Sequence, residues 1–236
     1  MNDPGWYTDG TNASVTKVVF NSSFGSVRPT STYEWFYDMN KLQTITGISY
    51  LKTDEVTNMG YMFRGCTKLT SIDVSRFNTS NVIYMLAMFY DCRNLLDLDL
   101  RNFNTSNVTS MAGMFSGCNK LTSIDVSSFN TSKVINMLGM FSDCSNLTTI
   151  YAGEGWSMAT VSVNSNMFTN CTKLVGGKGT TNNLAYTNGY YARIDGGPSN
   201  PGYFTDKNAS QPGDVNGDGF VNVADVTALI NIILNR

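Results

Sequence analysis

The 236-residue sequence predicts an α/β solenoid of about six rungs of 26 or 27 residues, with a parallel sheet, short helices opposite it and a small loop–helix tail. Three observations lead to this fold class. A Met-Phe-x-x-Cys phrase returns at a nearly fixed interval. A short segment of alternating apolar residues lies between successive copies of the phrase, and the apolar residues within and around each copy recur at helical spacing.

The repeat is marked by five cysteines that lie 26, 26, 26 and 27 residues apart. In an earlier, divergent rung the stretch Trp35–Met39 takes the place of the phrase, with Met39 in the cysteine column. Because five cysteines cannot all pair, we expect a ladder of small buried thiols, with a disulfide between neighbouring rungs or a reactive thiol as the alternatives. The five copies of the phrase are Met62–Cys66, Met88–Cys92, Met114–Cys118, Met140–Cys144 and Met167–Cys171.

The strand half of each rung is predicted from alternation and from matching columns. Ile72 and Val74 alternate with polar residues, as in a short strand with one buried face. Parallel strands of successive rungs would lie about 4.8 Å apart. The inward columns are Leu69, Leu95, Leu121, Leu147 and Leu174, then Ile72, Leu98, Ile124 and Ile150, then Phe77, Phe103 and Phe129.

The other half of each rung is predicted to be helical. Met85, Met88, Cys92 and Leu95 fall at i, i+3, i+7 and i+10, which places them on one face of a helix. Glycines interrupt the equivalent turns, so packing rather than propensity should hold these helices. At the turn that precedes them, the asparagines of the repeated Phe-Asn-Thr-Ser phrase are expected to bond to the backbone of the next rung.

These patterns divide the chain into four parts. Residues 1–34 form a polar lead-in and a capping strand within Val15–Phe24, and residues 35–206 form the solenoid. Strands at Tyr190–Ile194 and Gly202–Phe204 are expected to close it. Residues 207–213 are a polar linker, and residues 214–236 are the tail.

The composition excludes several classes of function. Charged residues make up 14% of the chain and the net charge is −2, so there is no basic patch for nucleic acid. Histidine is absent, which excludes a Ser-His-Asp triad, a Cys-His pair and His-ligated zinc. No apolar run is long enough for a transmembrane helix.

The tail carries the pattern of an EF-hand-like calcium loop. Oxygen ligands fall at loop positions 1, 3, 5, 9 and 12, the backbone carbonyl at position 7 adds another, and a glycine stands at position 6. An apolar helix follows. The predicted calcium ligands are Asp214, Asn216, Asp218, the Phe220 carbonyl, Asn222 and Asp225.

Candidate ligand-binding residues lie in one outward column of the strand half, at Asp73, Asp99, Asp125 and Tyr151. Like charges on neighbouring rungs would raise the pKa of these carboxyl groups or bind a cation. Alternatively, Arg76 and Arg101 would neutralise them and leave a solvated, hydrogen-bonded strand face.

Two resemblances follow from these motifs. The rungs, written L-x-x-I-D-V-x-x-F-N-T-S-x-V-x-x-M-x-x-M-F-x-x-C, resemble the BspA-type leucine-rich repeats of bacterial surface lipoproteins and adhesins. The tail GDVNGDGFVNVADVTALINIILNR resembles one half of a type I dockerin repeat. The resemblances imply a leucine-rich-repeat solenoid, export with a processed leader, extracellular calcium binding and a cohesin-like partner for the tail.

We therefore expect a secreted or cell-surface bacterial module that is not an enzyme and that binds an extracellular protein or glycan of host or bacterial origin in an adhesin-like manner. Two alternatives remain open. The aspartate column would suit a carbohydrate-active β-solenoid enzyme, and the tail would suit a scaffold component that docks to a larger assembly.

Overall fold

A computed structural model describes residues 10–208 and 223–234 of the chain. The strands are short, and short 3-10 helices lie near the two ends of the stack. The strands are β1 (Lys17–Val19), β2 (Thr44–Thr46), β3 (Ser123–Asp125), β4 (Thr149–Ala152) and β5 (Phe204–Asp206). The 3-10 helices are Thr11–Ser14, Ser22–Ser26, Ile48–Tyr50, Leu184–Tyr186 and Gly189–Tyr191, and the α-helix α1 is Val223–Leu234. No helix in these described ranges is long and apolar enough to cross a membrane.

The rungs stack with parallel pairing, as the sequence predicts. Strand β1 pairs with β2, and β3, β4 and β5 form a second parallel sheet in that order. A further column of parallel bridges joins six successive rungs. The single sheet of the prediction is thus two short sheets near the ends of the stack, and residues 70–74 and 96–100 between them form no strand. The bridge column runs through Ser31, Asn58, Tyr84, Ser110, Asn136 and Val163.

The prediction of short helices opposite the sheet is wrong. Residues 10–208 contain no α-helix, and the Met-Phe-x-x-Cys segments are runs of tight turns. In the third rung Ala87 and Asp91 have φ values of 51° and 58°, in the left-handed region, and these values are incompatible with a continuing α-helix. Equivalent residues of the other rungs share this conformation: Glu34, Tyr61, Gly113, Gly139 and Asn166 in one column, and Asp38, Gly65, Gly117, Asp143 and Asn170 in the other.

The backbone hydrogen bonds explain why the turns replace a helix. The N–H groups of Ala87 and Asp91 donate to carbonyls of the next rung, each at 2.7 Å. The N–H groups of Met88 and Cys92 instead donate three residues back, at 3.3 and 3.1 Å. Alternate N–H groups therefore bond within the rung and between rungs, and the apolar side chains still reach the core at helix-like intervals.

A column of stacked phenylalanines runs through the core. Neighbouring ring centroids lie 5.1 to 6.0 Å apart, and their planes differ by 4° to 17°. Phe36 begins the stack and Met39 is buried, so the divergent first rung occupies the predicted register. The stack consists of Phe36, Phe63, Phe89, Phe115, Phe141 and Phe168.

The cysteines form the expected ladder of buried free thiols. Each Sγ donates to the carbonyl of a phenylalanine in the preceding rung, as Cys118 does to Phe89 at 3.2 Å and Cys171 does to Phe141 at 2.9 Å. Burial raises the pKa of Cys118 well above its ordinary value and raises the pKa of Cys171 to about 12. Protonated, hydrogen-bonded thiols of this kind are structural rather than reactive.

Buried threonines, not the predicted asparagines, tie the turns of successive rungs together. The Thr105 hydroxyl donates to the Asn130 carbonyl at 2.9 Å and accepts from the Asn130 N–H at 2.8 Å. The Asn104 side chain instead accepts from the N–H of Ser106, two residues ahead in the same rung. The expectation that this asparagine column bonds to the next rung is therefore wrong, because the short amide closes a local turn first.

Both ends of the stack are covered. Phe20, which follows β1, lies edge-on to Phe36, and this agrees with the predicted entry strand. At the other end Tyr203 and Phe204 lie edge-on to Phe168. Of the predicted closing strand at residues 190–194, Tyr190 and Tyr191 lie in a 3-10 helix and Ile194 forms a single parallel bridge to Phe204, which begins β5.

We predict that Thr105→Val lowers the free energy of unfolding by about 2 kcal/mol, because it leaves the Asn130 N–H and carbonyl without their partner. Urea unfolding followed by circular dichroism measures the change. Thr122→Val, at an exposed position, is the control and should change stability little. Equal stability of the two variants would contradict the role of the buried threonine column.

Candidate functional site

Three of the four predicted ligand-binding residues line one shallow pocket. In the second sheet Asp125 pairs with Tyr151, and Asp99 lies on the preceding rung. Asp73 does not line this pocket. We call the site the Asp99 surface and define it by Asp97, Asp99, Arg101, Asp125, Tyr151 and Lys207.

Each aspartate of the column has a local structural role. The carboxylates of Asp73, Asp99 and Asp125 accept the N–H two residues ahead at 3.0, 3.1 and 2.9 Å. These bonds close the turn that follows each strand segment. The aspartate column therefore recurs because these three rungs turn at the same place.

Basic side chains neutralise two of the carboxylates. Arg101 donates to both carboxylate oxygens of Asp99, at 2.9 and 2.7 Å. Lys207 lies 3.4 Å from the carboxylate of Asp125, and its Nζ is 4.7 Å from the centre of the Tyr151 ring. The Asp99 surface thus carries both acidic and basic side chains and one aromatic ring, that of Tyr151.

The pKa values of Asp73 and Asp99 are lowered, so the prediction of raised values is wrong for these two residues. Hydrogen bonds from the Arg101 side chain lower the pKa of Asp99 to about 2. Hydrogen bonds from Ser75 lower the pKa of Asp73. Hydrogen bonds to the charged form outweigh repulsion between neighbouring rungs, because the carboxylates are exposed to water.

Lys207 is a contributor that sequence reasoning misses. The sequence predicts that Lys207 begins the linker after the solenoid, but strand β5 pairs with β4 and brings it beside Tyr151. The pairing of a strand more than 50 residues away in sequence leaves no periodic signal, since β5 lies outside the repeat.

The predicted calcium ligands lie almost entirely outside the described residues. Asp225 alone is described, in the first turn of α1, where it is 3% exposed. The neighbouring residues Val223 and Val226 are 79% and 55% exposed, so the burial is specific to Asp225. A buried carboxylate at loop position 12 suits an oxygen-ligated cation. Within residues 10–208 and 223–234, no group of three or more Cys, Asp or Glu side chains is placed to hold a metal.

We predict that the Asp99 carboxyl group titrates near pH 2 in the folded chain and that Arg101→Gln moves its pKa up towards about 3.9. A pKa lower in the folded than in the unfolded chain stabilises the fold above the unfolded pKa, and this contribution is lost as pH falls towards 2. NMR titration of the Asp99 side-chain carbon measures the shift. Lys207→Gln should leave it unchanged, and an unaltered Asp99 pKa in Arg101→Gln would contradict the assignment.

Comparison with known proteins identifies the family to which the chain belongs. A family model described as "Mycoplasma protein of unknown function, DUF285" matches residues 22–123 and 95–185. No curated protein matches the chain. A crystal structure of a leucine-rich repeat protein from Bacteroides ovatus is similar at 17% identity, with a TM-score of 0.31, over 70% of this chain and 66% of that one. The chain thus covers slightly less than two thirds of that protein's length. Because the matched ranges span residues 22–185, the chain belongs to the DUF285 family, which supports the BspA-type leucine-rich-repeat interpretation of its rungs.

Proposed function

We propose that the chain is a non-catalytic binding module of a secreted or cell-surface bacterial protein, and that it recognises an extracellular protein or glycan. The Asp99 surface carries this proposal. Charges of both signs and an aromatic ring stand on successive rungs, where the parallel register fixes their positions. Membership of the family supports a surface protein-binding role.

The chemistry of the Asp99 surface favours recognition of a protein partner. Arg101 pairs with the carboxylate of Asp99, and Lys207 lies beside the carboxylate of Asp125. Charge pairs at the rim of an interface steer association and discriminate between partners more than they add affinity. Tyr151 offers an amphipathic ring of the kind enriched at the centre of interfaces.

The same chemistry weighs against the carbohydrate-active enzyme. Glycoside hydrolysis needs one carboxyl group that stays protonated near neutral pH to protonate the leaving group. The lowered pKa values of Asp73 and Asp99 favour two ionised groups instead. This observation supports binding over catalysis at the aspartate column.

For the tail we propose calcium binding and docking to a separate partner, such as a cohesin-like domain. The buried Asp225 supports the calcium site. Apolar side chains of α1 are exposed, with Ile230 at 49%, Ile233 at 60% and Leu234 at 77%. An apolar helix that does not bury these residues on the rungs supports a role for the tail in contacting another protein, in the manner of a scaffold component.

We predict that the full chain binds at least one member of a panel of purified extracellular-matrix proteins with Kd below about 100 µM, and that Asp99→Lys weakens this binding about tenfold or more. The reversal of charge removes the pairing with Arg101 and changes the sign of the surface. Surface plasmon resonance at two salt concentrations measures both affinity and association rate.

Glu55→Lys is the matched control for the protein-binding test, because it makes the same charge change at an exposed residue outside the Asp99 surface. It should bind as the wild type does. Failure of the wild type to bind any member of the panel at high micromolar concentration would contradict the adhesin-like function. Equal loss in both variants would contradict the assignment of the Asp99 surface.

We predict that the full chain binds one calcium ion with Kd in the range of about 0.1–1 mM, which is typical of extracellular sites. Isothermal titration calorimetry measures the stoichiometry. Asp225→Ala and Asp218→Ala should each abolish binding, because each removes an oxygen ligand, whereas Asp206→Asn, outside the loop, should not. Calcium binding that persists in both alanine variants would contradict the ligand set.

A further inference from the structure

A second surface lies on the Met-Phe-x-x-Cys side of the stack and crosses five rungs. The sequence does not predict a ligand site there. The surface is a groove of about 670 Å³. Tyrosines surround its N-terminal end, and mostly small residues line the remainder. We call it the tyrosine groove and define it by Tyr33, Tyr37, Tyr61, Arg64 and Tyr90 at one end and by Gly113, Leu138, Gly139 and Ser142 at the other.

Arg64 lies at the centre of the aromatic end. Its guanidinium carbon is 4.8 Å from the centre of the Tyr37 ring, 5.8 Å from Tyr61 and 5.2 Å from Tyr90. The guanidinium also donates a hydrogen bond to the Tyr37 hydroxyl. Stacking against aromatic rings fixes the position of a cation without neutralising its charge.

The acidic residues of the groove accept hydrogen bonds from neighbouring side chains, whereas its one cation has no carboxylate partner among the described residues. The carboxylate of Glu34 hydrogen-bonds with Tyr33, whose pKa is raised to about 12 by burial and by this neighbour. The carboxylate of Asp143 accepts from Asn170 at 2.6 Å and from Ser142 at 2.9 Å. Across the part of the chain that the structure describes, no carboxylate lies within ion-pair distance of Arg64. The two acids of the groove are thus hydrogen-bonded by neutral donors, while its half-buried cation retains capacity for an anionic ligand.

The floor of the groove leaves the face of an aromatic ring accessible. Gly113 has φ of 61°, and a Cβ at this position would lie 3.3 Å from the ring of Tyr90. Glycine both adopts this backbone conformation at low cost and keeps the side of Tyr90 open. Gly139 continues the floor on the next rung. A ligand that runs along the groove can therefore contact the aromatic ring and the backbone of several rungs.

We propose that the tyrosine groove binds an acidic oligosaccharide, a chain of sugar rings that carry carboxylates. Arg64 pairs with a ligand carboxylate, Tyr90 packs against a sugar ring, and the small residues of the later rungs accommodate the following sugars. A proline-rich peptide would use the aromatic rings but leave the cation unpaired, and an acidic peptide would use the cation but lack rings to stack. This site shares no residue with the Asp99 surface and goes beyond the function proposed for it.

The test uses the full chain and three uronic-acid oligosaccharides, from polygalacturonate, alginate and hyaluronan, in isothermal titration calorimetry. We expect at least one to bind with Kd below about 1 mM. Methyl esterification of its carboxylates, which retains the sugar rings, should weaken binding about tenfold or more, as should Arg64→Gln and Tyr90→Ala. A polyglutamate peptide and a polyproline peptide should not bind.

Two substitutions of opposite charge at one exposed rim residue separate an effect on recognition from an effect on folding. Leu138 is 43% exposed, so Leu138→Glu and Leu138→Lys should both fold, and the first should weaken binding while the second strengthens it. Ile135→Glu, at a residue 52% exposed outside the groove, and Asp99→Lys should bind as the wild type does. Three outcomes would each overturn the proposal: no binding of any of the three oligosaccharides at about 1 mM, equal binding of the methyl ester, or indifference to the sign of the charge at residue 138.

Discussion

The hydrogen bonds that pass between rungs in the Met-Phe-x-x-Cys turns constrain the rest of the structure. In the third rung the N–H groups of Met85, Ala87, Phe89 and Asp91 all donate to carbonyls of the fourth. Such a ladder requires a constant rung length and a left-handed backbone at two positions in every rung. Twelve residues in two columns meet the second condition. The period of 26 or 27 residues is therefore a requirement of the backbone, and a rung separated from its neighbours would leave these donors without partners.

This ladder explains which side chains fill the core and how the polar atoms there are paired. Because alternate N–H groups point along the stack, the intervening side chains face the core. Equivalent residues of successive rungs therefore stack on each other. Phe89 stacks on Phe115, and the Sγ of Cys118 reaches the Phe89 carbonyl. The buried hydroxyl of Thr105 satisfies two backbone groups of the next rung. Small donors suit these positions, since each fits a narrow space and leaves no unpaired polar group.

The sequence was sufficient to predict the rung length, the inward columns and the first divergent rung, because burial repeats with the chain. It was not sufficient for the backbone conformation between the columns. Met85, Met88 and Cys92 keep helix-like intervals in a run of turns, and apolar spacing carries no information on the sign of φ. Gly113 and Gly139 gave the available signal, since glycine is favoured in the left-handed region, yet at helical spacing they indicated only a weak helix. Of the Asp99 surface, Asp99, Asp125 and Tyr151 were predictable as a column, whereas Lys207 depends on a strand pairing outside the repeat.

Both candidate binding surfaces follow from the same ladder. On the strand side it places equivalent outward residues at fixed intervals, so turn-closing aspartates form a row of carboxyl groups. On the turn side, Ala87, Gly113 and Gly139 occupy one left-handed column and leave a trough along the stack. Tyr61 stands in that same column at the N-terminal end, beside Arg64. A left-handed tyrosine costs more than a left-handed glycine, and the backbone ladder does not require its ring. At this end of the trough, side chains that the fold does not need lie around one cation. Recognition of a ligand, rather than folding, best explains why these residues are present.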